Sequence, residues 1–405
     1  MGAILSAEAR RGDPVELARD LIRIESINPC LEEGGAGEGP ISSAIAELLD
    51  GWGITPAVHE IAPGRFNLEA SLGEGPGPTL LLNGHLDTVG VAGMTDDPFA
   101  SEIVDGHLRG RGACDMKAGL AIILAATYRL ATEHRGGSTG AGGAAGRAGR
   151  IHLLFTADEE HASRGMQAAV EDGLAADFGV VTEPTSLAVM PAHKGFAWVR
   201  VEVRGRAAHG SRPEVGVDAI RGAARILARL DDLDTALRAG SPHPLLGYGS
   251  VHAGTITGGS APSVYPDRCE FVLERRTLPA ENPAGFEGEV RTLVEGVLET
   301  HPDLDVTVST ELVRDGSDLA PDHPGVVALL EAAEAGGEAP RVEGMSAWVD
   351  AAWLNAAGIP AVCFGPGSIG EAHAASESVP VHEIVRGAEI LTRFARDFPD
   401  LTPQR

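Results

Sequence analysis

The sequence predicts an α/β fold in which a mostly parallel sheet forms one domain and a smaller ferredoxin-like α+β domain is inserted into it. Short apolar segments without polar alternation recur between helical segments, which is typical of parallel strands covered on both faces. A middle segment instead alternates apolar and polar residues, as strands with one solvent-facing side do. The length of 405 residues exceeds one average domain and fits two.

The elements of the parallel domain follow from apolar runs and capping residues. Buried strands are predicted at residues 79–83, 151–155, 179–182 and 359–364. A helix begins at Asp13-Pro14, where an aspartate caps the helix and proline occupies its first position. Further helices are predicted at 116–133 and 161–172. Together these segments give the alternation of strand and helix that builds a parallel sheet.

The inserted domain is predicted at residues 195–310, so the parallel domain comprises residues 1–194 and 311–405. Val199, Val201 and Val203 fall on one face of a strand that begins at about residue 196. The elements that follow are a helix at about 217–231, strands near 249–257 and 267–277, a helix near 285–299 and a strand near 304–310. The resulting β-α-β-β-α-β order is that of a ferredoxin-like domain.

Charge and composition exclude several classes of partner. The formal net charge of −26 argues against a nucleic-acid ligand, because phosphate binding requires a basic surface. No apolar run reaches the length of a membrane span, and the N-terminus lacks the apolar core of a signal peptide. The four cysteines are far apart and form no CxxC pair. A reduced, cytoplasmic protein without a membrane partner is therefore expected.

Acidic residues and histidines follow the predicted strands of the parallel domain. These residues are His85 and Asp87, Glu159 and Glu160, Glu183 and His373, with Asp115 in a glycine-rich segment between the first two groups. Open parallel sheets bind ligands beyond the carboxyl ends of their strands. We therefore expect these side chains to converge on one crevice.

Two imidazoles and several carboxylates are a ligand set that suits zinc, and also manganese or cobalt. Two closely spaced ions need a bridging carboxylate, for which Asp115 is the candidate. His85 and Glu183 would complete one metal site, and Glu160 and His373 the other. Asp87 would orient His85 from outside the ligand set. Glu159, beside a ligand, would take a proton from water as a general base.

Each of these residues also has a simpler interpretation when taken alone. Asp115 could cap the helix that starts beside it, and Glu159 and Glu160 could form a solvated acidic turn. Glu183 could be an ordinary loop residue. The metal-centre interpretation rests on the occurrence of all of these residues together, most of them after successive strands.

The chain resembles the M20 metallopeptidase family, which includes deacylases such as acetylornithine deacetylase and also di- and carboxypeptidases. The resemblance is carried by ordered blocks that span nearly the whole chain. They are Gly84-His85-Leu86-Asp87-Thr88-Val89, Gly110-Arg111-Gly112 with Asp115-Met116-Lys117, Thr156-Ala157-Asp158-Glu159-Glu160, Glu183-Pro184, Ala372-His373, the segment from Gly205 through His209 to Pro213, and Arg276-Thr277-Leu278-Pro279. Each block alone is weak evidence for the family, but their occurrence together in this order is specific to it.

The resemblance implies further properties. It implies a cis peptide after Asp115 and a homodimer formed through the inserted domain, which acts as a lid. It also implies that His209 reaches the partner's active site and stabilises the oxyanion. An arginine in the position of Arg276 binds a substrate carboxylate, for which a guanidinium is well shaped; alternatively, Arg276 pairs with Glu274 on the same strand face.

The expected activity is hydrolysis of the amide bond of a small N-acyl amino acid with two divalent ions, zinc by preference. The alternatives are an M20 dipeptidase or carboxypeptidase acting on short peptides, and a metal-binding scaffold without catalysis. Two positions depart from the family pattern. Ser263 stands where relatives often have asparagine, and it is shorter and offers no amide for a substrate contact. His161 after Glu160 is unusual, and the sequence assigns it no role.

Overall fold

The structure is a computed structural model, and it describes residues 5–74, 77–135 and 149–400. Its helices are α1 (Pro14–Ile22), α2 (Gly39–Gly51), α3 (Ala118–Arg135), α4 (Arg164–Glu171), α5 (Ala219–Leu227), α6 (Leu230–Ala239), α7 (Phe286–Leu298), α8 (Pro324–Ala335), α9 (Ala351–Ala356) and α10 (Val381–Asp397). None of the helices in the described ranges is long and apolar enough to cross a membrane.

The strands are β1 (Ala57–Ala62), β2 (Arg65–Leu72), β3 (Thr79–His85), β4 (Ile103–Val104), β5 (His107–Arg109), β6 (Arg150–Thr156), β7 (Phe178–Val181), β8 (Val189–His193), β9 (Gly195–Arg204), β10 (Ser250–Gly258), β11 (Arg268–Thr277), β12 (Asp305–Arg314), β13 (Ser317–Asp318), β14 (Val342–Met345), β15 (Ala361–Cys363) and β16 (Ser378–Pro380). The chain divides into two compact units. The first comprises residues 1–191, 319–343 and 349–405, and the second comprises 192–318 and 344–348.

The main sheet of the first unit has the strand order β1-β2-β6-β3-β7-β15-β8. Its central strands β6, β3, β7 and β15 run parallel, whereas β1, β2 and β8 pair antiparallel at the flanks. Strand β3 is buried from Leu80 onward, and Leu120, Ile123 and Leu124 of α3 are fully buried. Because both faces of β3 are covered, its residues need not alternate between apolar and polar, and its sequence contains a continuous apolar run from Leu80 to Leu82. The predicted α/β fold with a mostly parallel sheet is confirmed.

The sheet of the second unit has the order β10-β11-β9-β12, and all neighbouring strands pair antiparallel. Val199, Val201 and Val203 of β9 are fully buried and pack in one cluster with Ala223 of α5 and Val290 of α7. This is the predicted ferredoxin-like arrangement: four strands in one layer, with helices packed on the face that the valines form.

Three predicted helices differ from the structure. The helix expected at 217–231 is two helices, α5 and α6, which meet at Ala228 and Arg229. The helix expected to begin at 116 begins at Ala118, because Asp115 and Met116 adopt non-helical backbone angles. The helix expected from 161 begins at Arg164, because the backbone N–H groups of residues 161–163 turn back to the Asp158 carbonyl.

Candidate active site

The predicted site residues of the first unit lie at the carboxyl edge of its parallel strands. In the β3–β6 register, His85 pairs with Thr156, three residues before Glu159. Strand β7 ends at Val181, two residues before Glu183, and pairs with β3 through Asn83. His373 lies in the loop that follows β15. The shared direction of these strands is what brings the residues that follow them to one edge.

Asp115 reaches this edge from the irregular turn Ala113–Lys117, which precedes α3 and contains a cis peptide between Asp115 and Met116. A close approach at Gly119 fixes the start of α3 against the end of β7, because a Cβ there would lie 2.2 Å from the carbonyl oxygen of Thr182. Only glycine permits that approach.

The cis peptide between Asp115 and Met116, which the family resemblance implied, is present in the structure.

The carboxylate of Asp115 lies between two imidazoles. Its Oδ1 is 3.0 Å from Nε2 of His85, and its Oδ2 is 3.4 Å from Nε2 of His373. Nε2 of His373 also lies 3.0 Å from Oε2 of Glu160. Ligand atoms of His85, Asp115 and Glu160 all fall within 4.8 Å of one another. A carboxylate with one oxygen toward each imidazole is the arrangement that a bridging ligand requires.

The donor set around Asp115 fits divalent ions on two further observations. Oε1 of Glu160 and Oε1 of Glu183 are buried and have no hydrogen-bond partner among the described residues. Buried polar atoms without partners are rare unless a ligand or ion completes them. Burial raises the pKa of Glu183 well above its usual value, and the charge of Asp115 raises it further. A cation at this position would relieve both effects.

The pKa values of the two imidazoles are also raised, which for an imidazole favours the charged form. Burial lowers the pKa of His85, but the hydrogen bond with Asp115 and the charge of Glu183 outweigh it and hold that pKa well above the usual value. Hydrogen bonds with Asp115 and Glu160 raise the pKa of His373 to about 10. The pocket is therefore rich in negative charge, and it favours any positive charge placed within it.

Glu159 stands beside this group on the turn after β6. Its backbone N–H donates to Oδ1 of Asp87 at 3.1 Å, and the N–H of Glu160 lies 3.3 Å from Oδ2 of the same carboxylate. Burial raises the pKa of Glu159 well above its usual value, with a further rise from the charge of Glu183. Asp87 thus fixes the backbone of the two glutamates that were predicted as base and ligand.

Asp87 contacts His85 in a different way from the one expected. Nδ1 of His85 is 2.9 Å from the backbone carbonyl oxygen of Asp87 and 3.7 Å from its carboxylate. The carboxylate instead accepts the N–H groups of Glu159 and Glu160 and the side-chain amide of Asn28 at 2.8 Å. Burial raises the pKa of Asp87 to about 7.

Glu377 was not identified from the sequence, yet it holds the turn that carries Asp115. Its carboxylate accepts the backbone N–H groups of Gly112 at 3.1 Å, Cys114 at 2.8 Å and Asp115 at 3.0 Å. The guanidinium of Arg111 donates to the same carboxylate. A single glutamate outside any recognised block gives no sequence signal, and only the fold reveals its contacts.

A second unpredicted group supports the turn before Glu159. Arg65 is 4% exposed, donates to Glu38 through two nitrogens, and lies 2.9 Å from Oδ1 of Asp158. The N–H of Asp158 donates to Glu38 at 3.2 Å, and the amide of Asn28 donates to Asp158 at 3.0 Å. Buried charges of this kind are retained only when they are paired.

The remaining predicted site residues belong to the second unit. His209 is exposed, and its Nδ1 lies 2.8 Å from Oγ of Ser211. The backbone N–H of Gly210 donates to the carbonyl oxygen of Ser263 at 2.7 Å, so the His209 loop lies against the Ala261-Pro262-Ser263 segment. Arg276 on β11 pairs with Glu274 at 3.0 Å and stacks over the ring of Phe196. The expected alternative pairing of Arg276 is thus present.

The fold and this donor set define a metal-dependent hydrolase of the α/β type. The model of peptidase family M20/M25/M40 matches residues 81–397, and the chain belongs to this family. It is 34% identical over 333 residues to the acetylornithine deacetylase of Myxococcus xanthus, covering 80% of this chain and 82% of that one. It is 28% identical to the Proteus mirabilis acetylornithine deacetylase, covering 95% of this chain and 96% of that one.

Solved structures share the fold at lower identity. An M20 family metallo-carboxypeptidase from Sulfolobus solfataricus superimposes with a TM-score of 0.77 at 17% identity, covering 96% of this chain and 100% of that chain. A dinuclear metal-binding M20 peptidase from Bacillus subtilis gives a TM-score of 0.71 at 18% identity, covering 98% of this chain and 100% of that one. These similarities confirm the fold, and the family assignment confirms the resemblance found in the sequence blocks.

Proposed function

We propose that the chain hydrolyses the amide bond of small N-acyl amino acids, with N-acetylornithine as the first substrate to test. The observation that carries this proposal is the carboxylate of Asp115 placed between His85 and His373, 3.0 and 3.4 Å from their Nε2 atoms. The acetylornithine deacetylases among its relatives, one of them 34% identical, support a deacylase over a peptidase.

Two divalent ions would be held by residues of the first unit. The proposed ligands are His85, Asp115, Glu160, Glu183 and His373, with Asp115 shared between the two ions. Zinc is the preferred metal for this nitrogen and oxygen set, with cobalt or manganese as alternatives. When bound, the ions would polarise the substrate carbonyl and lower the pKa of water.

Glu159 is proposed to move the proton. It lies one residue from a proposed ligand, and its backbone is fixed by Asp87. A carboxylate so placed takes a proton from the attacking water and returns it to the leaving amine. The carboxylate of Asp87, bonded to the backbone of Glu159 and Glu160, is proposed to fix the position of the proton acceptor.

The second unit is proposed to supply two substrate contacts. His209 would donate a hydrogen bond to the oxyanion that forms when the carbonyl is attacked. Arg276 would bind a substrate carboxylate in place of Glu274, with which it now pairs. We further propose that residues 195–310 act as a lid and dimerisation domain, so that His209 serves the active site of a partner copy.

A hydrolysis screen tests the proposed function. The purified chain, supplied in turn with zinc, cobalt and manganese, is incubated with N-acetyl, N-succinyl and N-formyl amino acids and with dipeptides. Release of the free amino acid is expected fastest from an N-acyl substrate. Faster cleavage of dipeptides, or of a C-terminal residue from short peptides, would favour the peptidase alternative. Metal binding without turnover on any of them would favour the non-catalytic scaffold.

A further inference from the structure

A thiol, an imidazole and a carboxylate meet in the first unit outside the proposed ligand set. Ligand atoms of Cys30, Asp158 and His161 all lie within 4.8 Å of one another. Nδ1 of His161 is 3.7 Å from Oδ1 of Asp158. Cys30 and His161 are exposed, whereas Asp158 is fully buried. The cluster gives His161, to which the sequence assigns no role, a chemical context.

The chemistry of this cluster differs from that of the proposed active site. Thiolate and imidazole together favour zinc and other thiophilic ions, whereas the proposed active-site ligands are imidazoles and carboxylates only. In a tetrahedral zinc site, ligand atoms lie about 3.5 Å apart. The exposed side chains of Cys30 and His161 would need to move by about 1 Å to reach that spacing, which is within the range of a rotamer adjustment.

The surroundings define which atoms are free to bind. Oδ1 of Asp158 already accepts from Asn28 at 3.0 Å and lies 2.9 Å from Arg65. Nη1 of Arg65 also contacts Sγ of Cys30 at 3.7 Å. The charge of Arg65 is offset by Glu38, to which it donates. Nε of Arg164 lies 3.3 Å from Oδ2 of Asp158, so both oxygens of that carboxylate already face an arginine. Cys30 and His161 therefore offer the two available ligand atoms, and the paired carboxylate of Asp158 lies beside them.

We propose that Cys30 and His161, beside Asp158, form a peripheral site for a thiophilic divalent ion, zinc by preference, and that its occupancy slows turnover at the neighbouring active site. Binding at this site does not depend on the proposed function; only its inhibitory effect rests on that function. The site would make the enzyme sensitive to an excess of the metal that its active site is proposed to need.

The contacts of the cluster explain why occupancy would affect catalysis. Asp158 and His161 flank Glu159 and Glu160 in sequence. The amide of Asn28 joins Asp158 to Asp87, and the backbone N–H of Cys30 donates to Oδ1 of Asn28 at 2.9 Å. An ion that draws Cys30 and His161 together would therefore strain the hydrogen bonds of Asn28, which help to hold the turn that carries Glu159.

Cobalt binding tests the site without reference to activity. Metal-free full-length protein is titrated with Co²⁺, and the near-ultraviolet charge-transfer band of a cobalt–thiolate bond is recorded. The band is expected in the wild type, lost in Cys30→Ser, weakened in His161→Gln and retained in Cys269→Ser, a matched change at a buried cysteine of the second unit. No band in the wild type, or a band that survives Cys30→Ser, would overturn the proposal.

Zinc inhibition tests the effect on turnover. Enzyme loaded with its active-site metals is assayed with rising free zinc. The inhibiting concentration is expected to rise at least about tenfold in Cys30→Ser and in His161→Gln, because each loses one ligand. Equal inhibition of wild type and variants would overturn the regulatory role. Absence of turnover on every substrate would refute the proposed function while leaving the cobalt result decisive for the site.

Discussion

The carboxylate of Glu377 accepts the backbone N–H of Asp115 at 3.0 Å, although the two residues are 262 positions apart in the chain. The same carboxylate accepts the N–H groups of Gly112 and Cys114. The turn that carries the proposed bridging ligand is therefore shaped by a residue from the C-terminal part of the chain.

Replacing Glu377 with alanine should weaken metal binding without removing a ligand. The buried N–H groups would lose their acceptor, and Arg111 its partner, so we expect a loss of about 3 kcal/mol in unfolding free energy. Metal affinity should fall by roughly 10–100-fold, as for other residues that position ligands. Calorimetric metal titration and urea denaturation measure the two effects. The exposed Glu371→Ala serves as control, and unchanged affinity in Glu377→Ala would contradict the positioning role.

Glu159→Gln should retain metal and fold but lose turnover. The amide cannot accept the proton from water, and general-base contributions amount to roughly 10²–10⁴-fold in rate. Metal content and thermal stability are measured beside kcat, with Glu171→Gln on the exposed end of α4 as a control. Near-normal kcat in fully loaded Glu159→Gln enzyme would remove the residue from the mechanism.

The role of His209 is tested by subunit mixing. His209→Ala alone should lose activity because the oxyanion loses a donor, which costs roughly 10²–10³-fold in kcat. Mixing it with Glu159→Gln subunits should restore activity at one of the two sites in each mixed dimer if His209 serves the partner's site. His301→Ala is the control in the same unit. A fully active monomer, or mixed dimers without restored activity, would argue against delivery between subunits.

Arg65→Met should be strongly destabilising. Glu38 is buried and would lose its cationic partner, whereas buried Asp158 would keep Arg164, which lies 3.3 Å from its Oδ2. Breaking a buried pair costs about 3–5 kcal/mol. The matched change Arg10→Met removes a surface pair with Glu47 and should cost less than about 1 kcal/mol. Urea denaturation compares the two variants. A loss of similar size in both would show that Asp158 does not depend on Arg65.

His193 should make the stability of the fold sensitive to mild acid. The residue is 2% exposed, its Nε2 has no hydrogen-bond partner in the described part of the chain, and burial lowers its pKa to about 4. The unfolded state binds the proton first, near pH 6.5, so the stabilising contribution of the neutral ring is complete above that pH. It is lost as the pH falls toward 4.

Through His193, the free energy of unfolding is expected to fall by about 2 kcal/mol between pH 7 and pH 5. Urea denaturation of the wild type and His193→Gln at both pH values isolates this contribution, because the other titrating groups are common to both proteins. A decline of equal size in the two proteins would show that His193 titrates normally in the folded state.

Residues that directly follow strands could be predicted from the sequence, because strand direction alone places them. His85 at the end of β3 and Glu160 after β6 are of this kind, and their ligand atoms lie within 4.8 Å of each other. Glu183 follows β7 at the same edge, and its charge raises the pKa of His85. Glu377 and Arg65 could not be predicted, since a lone charged residue outside a recognised block carries no information on its distant partner. Their positions depend on tertiary contacts between segments far apart in the chain.

Boundaries of elements were less predictable than their existence. The break between α5 and α6 contains neither glycine nor proline, only Ala228 and Arg229, so no local signal marks it. Strand β12 runs to Arg314, past the predicted end at 310, because Arg314 still pairs with Phe196 of β9. In both cases packing and pairing override the local pattern.

The late position of β15 has a consequence for how the protein is made. This strand pairs with both β7 and β8 in the main sheet, but residues 192–318 of the second unit are synthesised before it. A ribosome-bound chain therefore carries β7 with an open edge until β15 emerges, and open strand edges invite pairing with other chains. Since His373 and Glu377 emerge later still, the nascent polypeptide would gain its proposed metal-binding centre only after these residues have left the ribosome, and chaperone protection would matter most during that interval.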